Sequence, residues 1–123
     1  MTRVLFITIT TLVITMSMAF TTQEKDILGN WKAVEMQNST IKVYKAKDGN
    51  IYGKIIASNR KDWIGEIILK QVKYIADDEA WKGEVYNLER KMSVDVTITL
   101  LSQNKLKLVG TKFFMTKTFY WER

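Results

Sequence analysis

Three groups of side chains in this sequence are of types that could do chemistry. Glu35 follows Trp31 at an even spacing, so on a strand it would share that face, and burial there would raise the pKa of its carboxyl group and suit it to acid–base catalysis. Lys91 and Ser93 form a Ser–Lys pair, a type that can supply a nucleophile. Residues 77–79 are three consecutive carboxylates, which could attract a cation. Each group also has a purely structural interpretation: an outward-facing strand residue, the flanks of an ordinary turn, and an acidic turn without the spaced ligands of a calcium loop.

The residue types that are missing exclude most other chemistry. Among its 123 residues the chain has no cysteine and no histidine. It therefore has no disulfide, thiol nucleophile or thiolate metal site. It also lacks an imidazole metal ligand and the usual proton shuttle near neutral pH. We predict that the protein is not an enzyme and has no catalytic residues, no metal site and no cofactor.

The chain is basic, with a formal net charge of +6. The lysines that cause this surplus are scattered along the sequence and form no long run. Such a surface is either simply solvated or attracted to a polyanion or an anionic envelope surface. No nucleic-acid recognition motif is present, so we expect no nucleic-acid partner.

The first twenty residues, MTRVLFITITTLVITMSMAF, have the pattern of a secretory leader. One arginine precedes an apolar run, and Ser17 and Ala19 place small residues where signal peptidase reads them. We predict a signal peptide over residues 1–19 and a mature domain over residues 20–123 that is exported to the periplasm or secreted. The apolar run is shorter than the ~20 residues of a spanning helix, so we expect no transmembrane span in the mature protein. An uncleaved N-terminal anchor is the alternative.

Strand patterns dominate the rest of the chain. Residues 22–28 are predicted to form a short helical turn capped by Thr22. Residues 93–100 alternate between apolar and polar side chains, which is typical of a strand with one buried face. Asp48-Gly49 is a hairpin signal between two further strands. Eight segments are predicted as strands, with helix as the alternative for the fourth: residues 30–36, 40–47, 50–58, 66–76, 80–87, 93–100, 105–110 and 116–123.

The short connections between these segments favour antiparallel neighbours. For a domain of this length with one apolar face per strand, a closed sheet is the simplest arrangement, and it also removes exposed sheet edges. We therefore predict an all-β fold, a single eight-stranded antiparallel up-and-down barrel preceded by a short N-terminal helical turn. A two-sheet sandwich is the alternative. We expect the barrel to be a monomer.

The apolar faces of the strands would line the interior of this barrel. An eight-stranded interior is either filled by side chains or just wide enough for one small ligand. If a cavity exists, we predict a small apolar or anionic amphiphilic ligand whose head is held by lysines at the rim. The predicted ligand-binding residues are Trp31, Ile55, Trp63, Val85, Val96 and Ile98. The alternative is a solid barrel that acts as an envelope-associated protein-interaction module through its basic surface and an exposed Trp63.

Motifs near the start and the end of the barrel carry a family resemblance. Gly29-Asn30-Trp31, after a helical turn and at the start of the first strand, resembles the Gly-x-Trp signature of the lipocalins and the wider calycin superfamily. In that superfamily an arginine or lysine from the end of the barrel packs over this tryptophan. The resemblance implies that Arg123 has this role, and that Gly29, Trp31, Trp121 and Arg123 close a lipocalin-like barrel. An arginine over an indole would add a cation–π contact of about 0.5–2 kcal/mol.

A closer resemblance extends through the whole domain. The segments GKI, IGEIIL, WKGEVYN and KTFYWER resemble a bacterial exported family known only as domain of unknown function 2147, and they lie at residues 53–55, 64–69, 81–87 and 117–123. The sequence departs from the family pattern at Leu88, Lys91 and Lys117, where proline, glycine and arginine are usual. The loop after Ser58 is also short. The resemblance covers most of residues 27–123 and implies no activity.

Overall fold

Residues 22–123, which the computed structural model describes, form eight β-strands and three short 3₁₀ turns. The predicted signal peptide, residues 1–19, lies outside the described residues. The strands are β1 (Gly29–Ala33), β2 (Ser39–Lys45), β3 (Ile51–Ala57), β4 (Ile67–Ile75), β5 (Ala80–Asn87), β6 (Met92–Ser102), β7 (Lys105–Lys112) and β8 (Met115–Glu122). The 3₁₀ turns are Glu24–Ile27, Lys61–Trp63 and Ala76–Asp78.

The eight strands form one closed antiparallel barrel in chain order. Each strand pairs with the next along the chain, and β1 closes the cylinder on β8 through the pair Lys32–Glu122. The prediction of an eight-stranded up-and-down barrel is confirmed, and the sandwich alternative is wrong. The fourth predicted segment is a strand and not a helix.

Apolar side chains at alternate strand positions fill the barrel interior. In β2, for example, Ile41 and Val43 are buried while Lys42 between them is exposed. Burial of one large apolar side chain contributes about 1.5–3 kcal/mol, so this inward face is what holds the cylinder together. The largest of the fully buried side chains are three tryptophans, Trp31, Trp81 and Trp121.

The first strand is shorter than predicted, because the chain turns directly after Ala33. Gln37 and Asn38 in this turn have positive φ angles of 54° and 56°, a left-handed conformation that reverses the chain into β2. Glu35 therefore lies in an exposed turn and not on a strand. It does not share the buried face of Trp31 and is exposed, as in the structural interpretation, although it lies in a turn and not at a strand end.

The helical turn before β1 is present as Glu24–Ile27, but Thr22 does not cap it. The N-cap position is Gln23, whose backbone N–H donates to Asp26 Oδ2 at 2.7 Å. The Thr22 hydroxyl instead hydrogen-bonds to the Tyr74 hydroxyl at 2.8 Å, which ties this segment to β4.

The up-and-down order divides the connections between the two ends of the barrel. We call the end that carries the turn Glu24–Ile27 and the connections β2–β3, β4–β5 and β6–β7 the closed end. The opposite end, which we call the open end, carries the connections β1–β2, β3–β4, β5–β6 and β7–β8.

Gly83 of β5 packs against a bulge in β4. The β4–β5 register shifts between Lys70 and Lys73, and Gln71 in the bulge has a φ of 52°. A Cβ at position 83 would lie 2.8 Å from Val72 Cα and 2.9 Å from Lys70 O. Because backbone atoms cannot rotate away, we expect Gly83→Ala to lower the free energy of unfolding by about 1–3 kcal/mol, measured by urea denaturation.

Gly110→Ala is the matched control for this prediction. The nearest atom to a Cβ at position 110 is a side-chain methyl, Val94 Cγ2, at 3.2 Å. That methyl can shift, so we expect a clearly smaller loss of stability than for Gly83→Ala. Equal losses in the two variants would show that the β4 bulge does not constrain position 83.

Candidate functional site

The closed end is sealed by the turn Glu24–Ile27, which three side chains hold across the barrel mouth. Trp31 donates its indole N–H to Ile27 O at 2.8 Å, and Trp81 donates its own to Glu24 O at 2.9 Å. The Ile27 side chain is fully buried beneath the turn. Arg123 supplies the third attachment.

Arg123 lies over the Trp31 ring, with Cζ 4.1 Å from the ring centroid. Its guanidinium donates to Leu28 O at 3.1 Å, to Asp26 O at 3.0 Å and to Gln103 O at 2.7 Å. These carbonyls belong to the 3₁₀ turn region and to the β6–β7 connection. A planar guanidinium can serve all three at once, whereas a lysine ammonium is a compact point charge that would reach fewer of them.

Gly29 supplies the backbone conformation at the start of β1 that this arrangement uses. Its φ of +125° is a conformation that residues with a Cβ rarely adopt. A Cβ there would lie 3.5 Å from Arg123 Nη1. Gly29, Trp31 and Arg123 thus meet at the closed end, and Trp81 joins them.

A cavity of about 390 Å³ occupies the open end of the barrel. Small-molecule sites in proteins are commonly ~300–1,000 Å³, so this space is large enough for one small ligand. Its wall comes from β1, β5, β6, β7 and β8 and from the connections at this end. The cavity therefore lies at the opposite end of the barrel from Gly29, Trp31 and Arg123.

The wall of the cavity is apolar inside and mostly basic at its rim. Half-buried apolar side chains that line it include Met36, Leu88, Met92, Val94 and Phe119. Three cationic side chains also border it, namely Arg90, Lys112 and Lys117, against two carboxylates, Glu35 and Glu89. This arrangement suits a ligand with an apolar body and an anionic group.

Comparison with protein families assigns the chain to one family. Residues 29–123 match the model of a family described as uncharacterized protein conserved in bacteria (DUF2147). The chain belongs to this family. The match extends from Gly29 to Arg123 and so contains every strand of the barrel. No curated protein and no solved structure matches the chain.

None of the helical turns within residues 22–123 of this DUF2147 protein has the length and apolar composition of a membrane span. Two of the positions at which the sequence departs from the family pattern, Leu88 and Lys117, line the cavity at the open end.

The predicted ligand-binding residues divide into two sets. Trp63 and Val85 line the cavity. The other four are packed in the hydrophobic core and do not line it: Trp31, Ile55, Val96 and Ile98. Inward orientation was visible in the sequence, but it did not tell which inward residues face free space.

Trp63 is buried even though it lies in a polar loop. Only 6% of its surface is exposed, and Arg60 covers its ring with Cζ 4.8 Å from the centroid. Asp62 holds Arg60 through two hydrogen bonds of 2.9 and 2.8 Å, and these bonds lower the pKa of the Asp62 carboxyl. Trp63 is thus part of the cavity wall and is not exposed for contact with a partner.

Trp121 lies in the interior of the barrel and borders the cavity. It pairs with Leu106 across β7 and β8, and its ring packs at a tilt against Phe119 with centroids 6.4 Å apart. Its indole nitrogen is the buried side-chain polar atom without a hydrogen-bond partner among residues 22–123. Packing alone therefore holds Trp121, in contrast to Trp31.

Sequence reasoning missed the β7–β8 hairpin as part of the site. Phe113 and Met115, at its tip, border the cavity mouth together with Lys112 and Lys117. The available signal was the run of three large apolar residues, 113–115, at a turn between two alternating strands. Turn positions are usually occupied by small or polar residues.

The side chains that could take part in chemistry do not come together in a reactive centre. Ser93 presents its backbone carbonyl to Lys112 Nζ at 3.1 Å, and Lys91 is an exposed turn residue with a φ of 54°. In the acidic turn, Asp78 pairs with Lys82 at 3.1 Å. Within the described residues no group of three or more side chains is positioned to hold a metal ion.

Proposed function

We propose that this DUF2147 protein is an exported, non-catalytic binding protein that carries one small amphiphile in the open-end cavity. The apolar part of the ligand would occupy the barrel interior, and its anionic head would lie among the basic side chains at the rim. The observation that carries the proposal is an apolar cavity of about 390 Å³ whose mouth has three basic and two acidic side chains. Export rests on the leader pattern of residues 1–19.

The evidence for an apolar part of the ligand is the cavity wall. Val85 and Trp121 are nearly fully buried, and Val94 and Phe119 are partly buried around the same space. Each methylene group that leaves water for such a wall contributes about 0.8 kcal/mol. A short alkyl or prenyl-like chain would therefore bind through this burial alone.

The evidence for an anionic head group on the ligand is the position of two lysines on neighbouring strands. Lys112 ends β7, and Lys117 lies in β8 opposite Gly110. Lys112 is half-buried, so its ammonium is less screened by water than that of an outer lysine. Because both side chains reach the cavity rim, a carboxylate or phosphate there would meet two donors.

The first test is whether a ligand accompanies the protein. We expect native mass spectrometry of protein purified from its own cells to show a bound mass that is released by denaturation. The freed protein should then bind a fluorescent fatty-acid analogue more tightly than the uncharged ester of the same analogue. Failure to bind either compound, with no copurifying mass, would refute the proposal.

The second test distinguishes the contribution of the anionic head to binding from that of the apolar chain. We expect the double variant Lys112→Gln, Lys117→Gln to bind the anionic analogue more weakly by about 0.5–2 kcal/mol, with little change for the ester. The control is Lys42→Gln, Lys54→Gln, which removes the same charge from exposed positions of β2 and β3. If both double variants lose the same affinity, only the overall charge matters and the rim has no specific role.

A further inference from the structure

The tip of the β7–β8 hairpin presents three consecutive large apolar side chains to solvent. Phe113 is 85% exposed, Phe114 is fully exposed and Met115 is 73% exposed. Single exposed apolar residues are common on protein surfaces, but a contiguous group of large ones marks an interaction site. The hairpin lies at the open end, beside the cavity mouth.

Neither the backbone nor the core of the barrel requires aromatic side chains at this turn. Phe113 has a φ of 57°, a left-handed conformation that glycine and asparagine adopt far more readily than phenylalanine. None of the three tip side chains belongs to the buried core or packs against it. The tip thus has a phenylalanine, Phe113, at a position where the backbone favours smaller residues.

Other connections at the open end extend the apolar surface. Val34 in the β1–β2 turn is 67% exposed, and Ile64 in the β3–β4 connection is 45% exposed. The loops at this end therefore offer apolar side chains from three directions around the cavity mouth.

Basic side chains lie beside the hairpin tip. Four basic residues flank it on β7, β8 and the β5–β6 connection, namely Arg90, Lys91, Lys112 and Lys117, and two carboxylates, Glu35 and Glu89, lie at the same end. Lys112 Nζ lies 5.9 Å from the Phe113 ring centroid, so charge and apolar surface are adjacent. The closed end carries the acidic turn 77–79 together with the basic residues Lys25, Lys47 and Arg123. An anionic surface would attract the open end and repel that turn.

We propose that the open end docks on an anionic lipid bilayer, with the tip 113–115 inserted among the headgroups and the neighbouring basic side chains on lipid phosphates. Aromatic side chains next to cationic ones are the combination that binds the interface of anionic membranes. Docking in this orientation would face the cavity mouth toward the lipid. The docking itself does not depend on the ligand proposed above.

The test is cosedimentation of the full protein with vesicles of phosphatidylglycerol and phosphatidylcholine. We expect Phe113→Gly, Phe114→Asn to weaken vesicle binding by at least about tenfold, because two inserted rings are lost. The same variant should melt at an equal or higher temperature, since glycine relieves the backbone at position 113. Leu101→Asn is the control, because it removes a half-exposed apolar side chain at the closed end and should leave vesicle binding unchanged.

Four results would overturn the docking proposal. The first is equal vesicle binding by the tip variant and the wild type, and the second is an equal loss of vesicle binding in Leu101→Asn. The third is undiminished binding to vesicles of phosphatidylcholine alone. The fourth is a dimer that the wild type forms without lipid and the tip variant does not form. The last result would assign the tip to a second copy of the chain.

Docking and ligand binding are separated by Gly110→Phe, a cavity-filling variant that should still sediment with anionic vesicles. If it does so and wild type binds no amphiphile, only the proposed ligand function fails.

Discussion

We expect Trp31→Ala to lower the free energy of unfolding by about 3–5 kcal/mol, the range for removing a large buried aromatic side chain. Trp31 has no exposed surface, and its loss would also leave Ile27 O without its donor and Arg123 without the ring beneath it. For a domain of this size we expect the melting temperature to fall by more than about 10 °C. Thermal and urea denaturation monitored by far-ultraviolet circular dichroism measure both quantities.

A matched pair of milder variants separates the hydrogen bond from the loss of volume. Trp31→Phe and Trp121→Phe remove the same atoms from two buried tryptophans. Only Trp31 donates to a partner, whereas the Trp121 nitrogen has none among the described residues. We therefore expect Trp31→Phe to cost about 1–2 kcal/mol more than Trp121→Phe. Equal costs would mean that the Trp31–Ile27 bond adds nothing to stability.

The contact between Trp31 and Arg123 can be isolated by a double-mutant cycle. We expect Trp31→Ala and Arg123→Ala, measured singly and together, to show a coupling energy of about 0.5–2 kcal/mol. Simple additivity of the two losses, or an unchanged melting temperature in Trp31→Ala, would contradict a closing role for this pair.

We expect Gly110→Phe to reduce affinity for the fluorescent fatty-acid analogue by at least about tenfold, which corresponds to ~1.4 kcal/mol. Gly110 lines the cavity, and its φ lies outside the left-handed region, so a side chain is compatible with its backbone. Its Cβ would point toward Val94, and a phenyl ring there would occupy space that the ligand needs. Fluorescence titration measures the affinity, and a melting curve shows whether the variant is folded.

Thr111→Phe is the control for this variant. Thr111 is the next residue on β7, it is exposed, and it does not border the cavity. The same ring on the outside of the strand should leave affinity unchanged. If Gly110→Phe is folded and binds the analogue as tightly as wild type, the ligand does not occupy this cavity.

The barrel itself was predictable because strand patterns are local. The alternation from Val94 to Leu100 predicts β6, and its inward residues are buried or half-buried in the structure. Short connections then limit the order of the strands to a meander. Exact strand limits were less predictable, since β1 ends at Ala33 and is followed by a turn over residues 34–38, whereas its apolar pattern continues to Met36.

The candidate site was only partly predictable. Ile55 and Ile98 point inward as expected, yet they lie in the filled part of the barrel, whereas Val85 borders the cavity. The sequence period assigns a face to each side chain but says nothing of its neighbours across the barrel. Which part of the interior stays open depends on how side chains from distant strands fill it.

By itself the sequence determined the eight-stranded meander and the inward faces, because each follows from local spacing, while the pairing of Trp31 with Arg123 was implied by the family resemblance. The tertiary structure alone decided that the closed end is filled, that the cavity lies at the opposite end, and that Phe113 is exposed while Phe119 is partly buried. The physical reason is that free volume and exposure are properties of the closed cylinder. They arise from contacts between residues far apart in the chain, which no local pattern encodes.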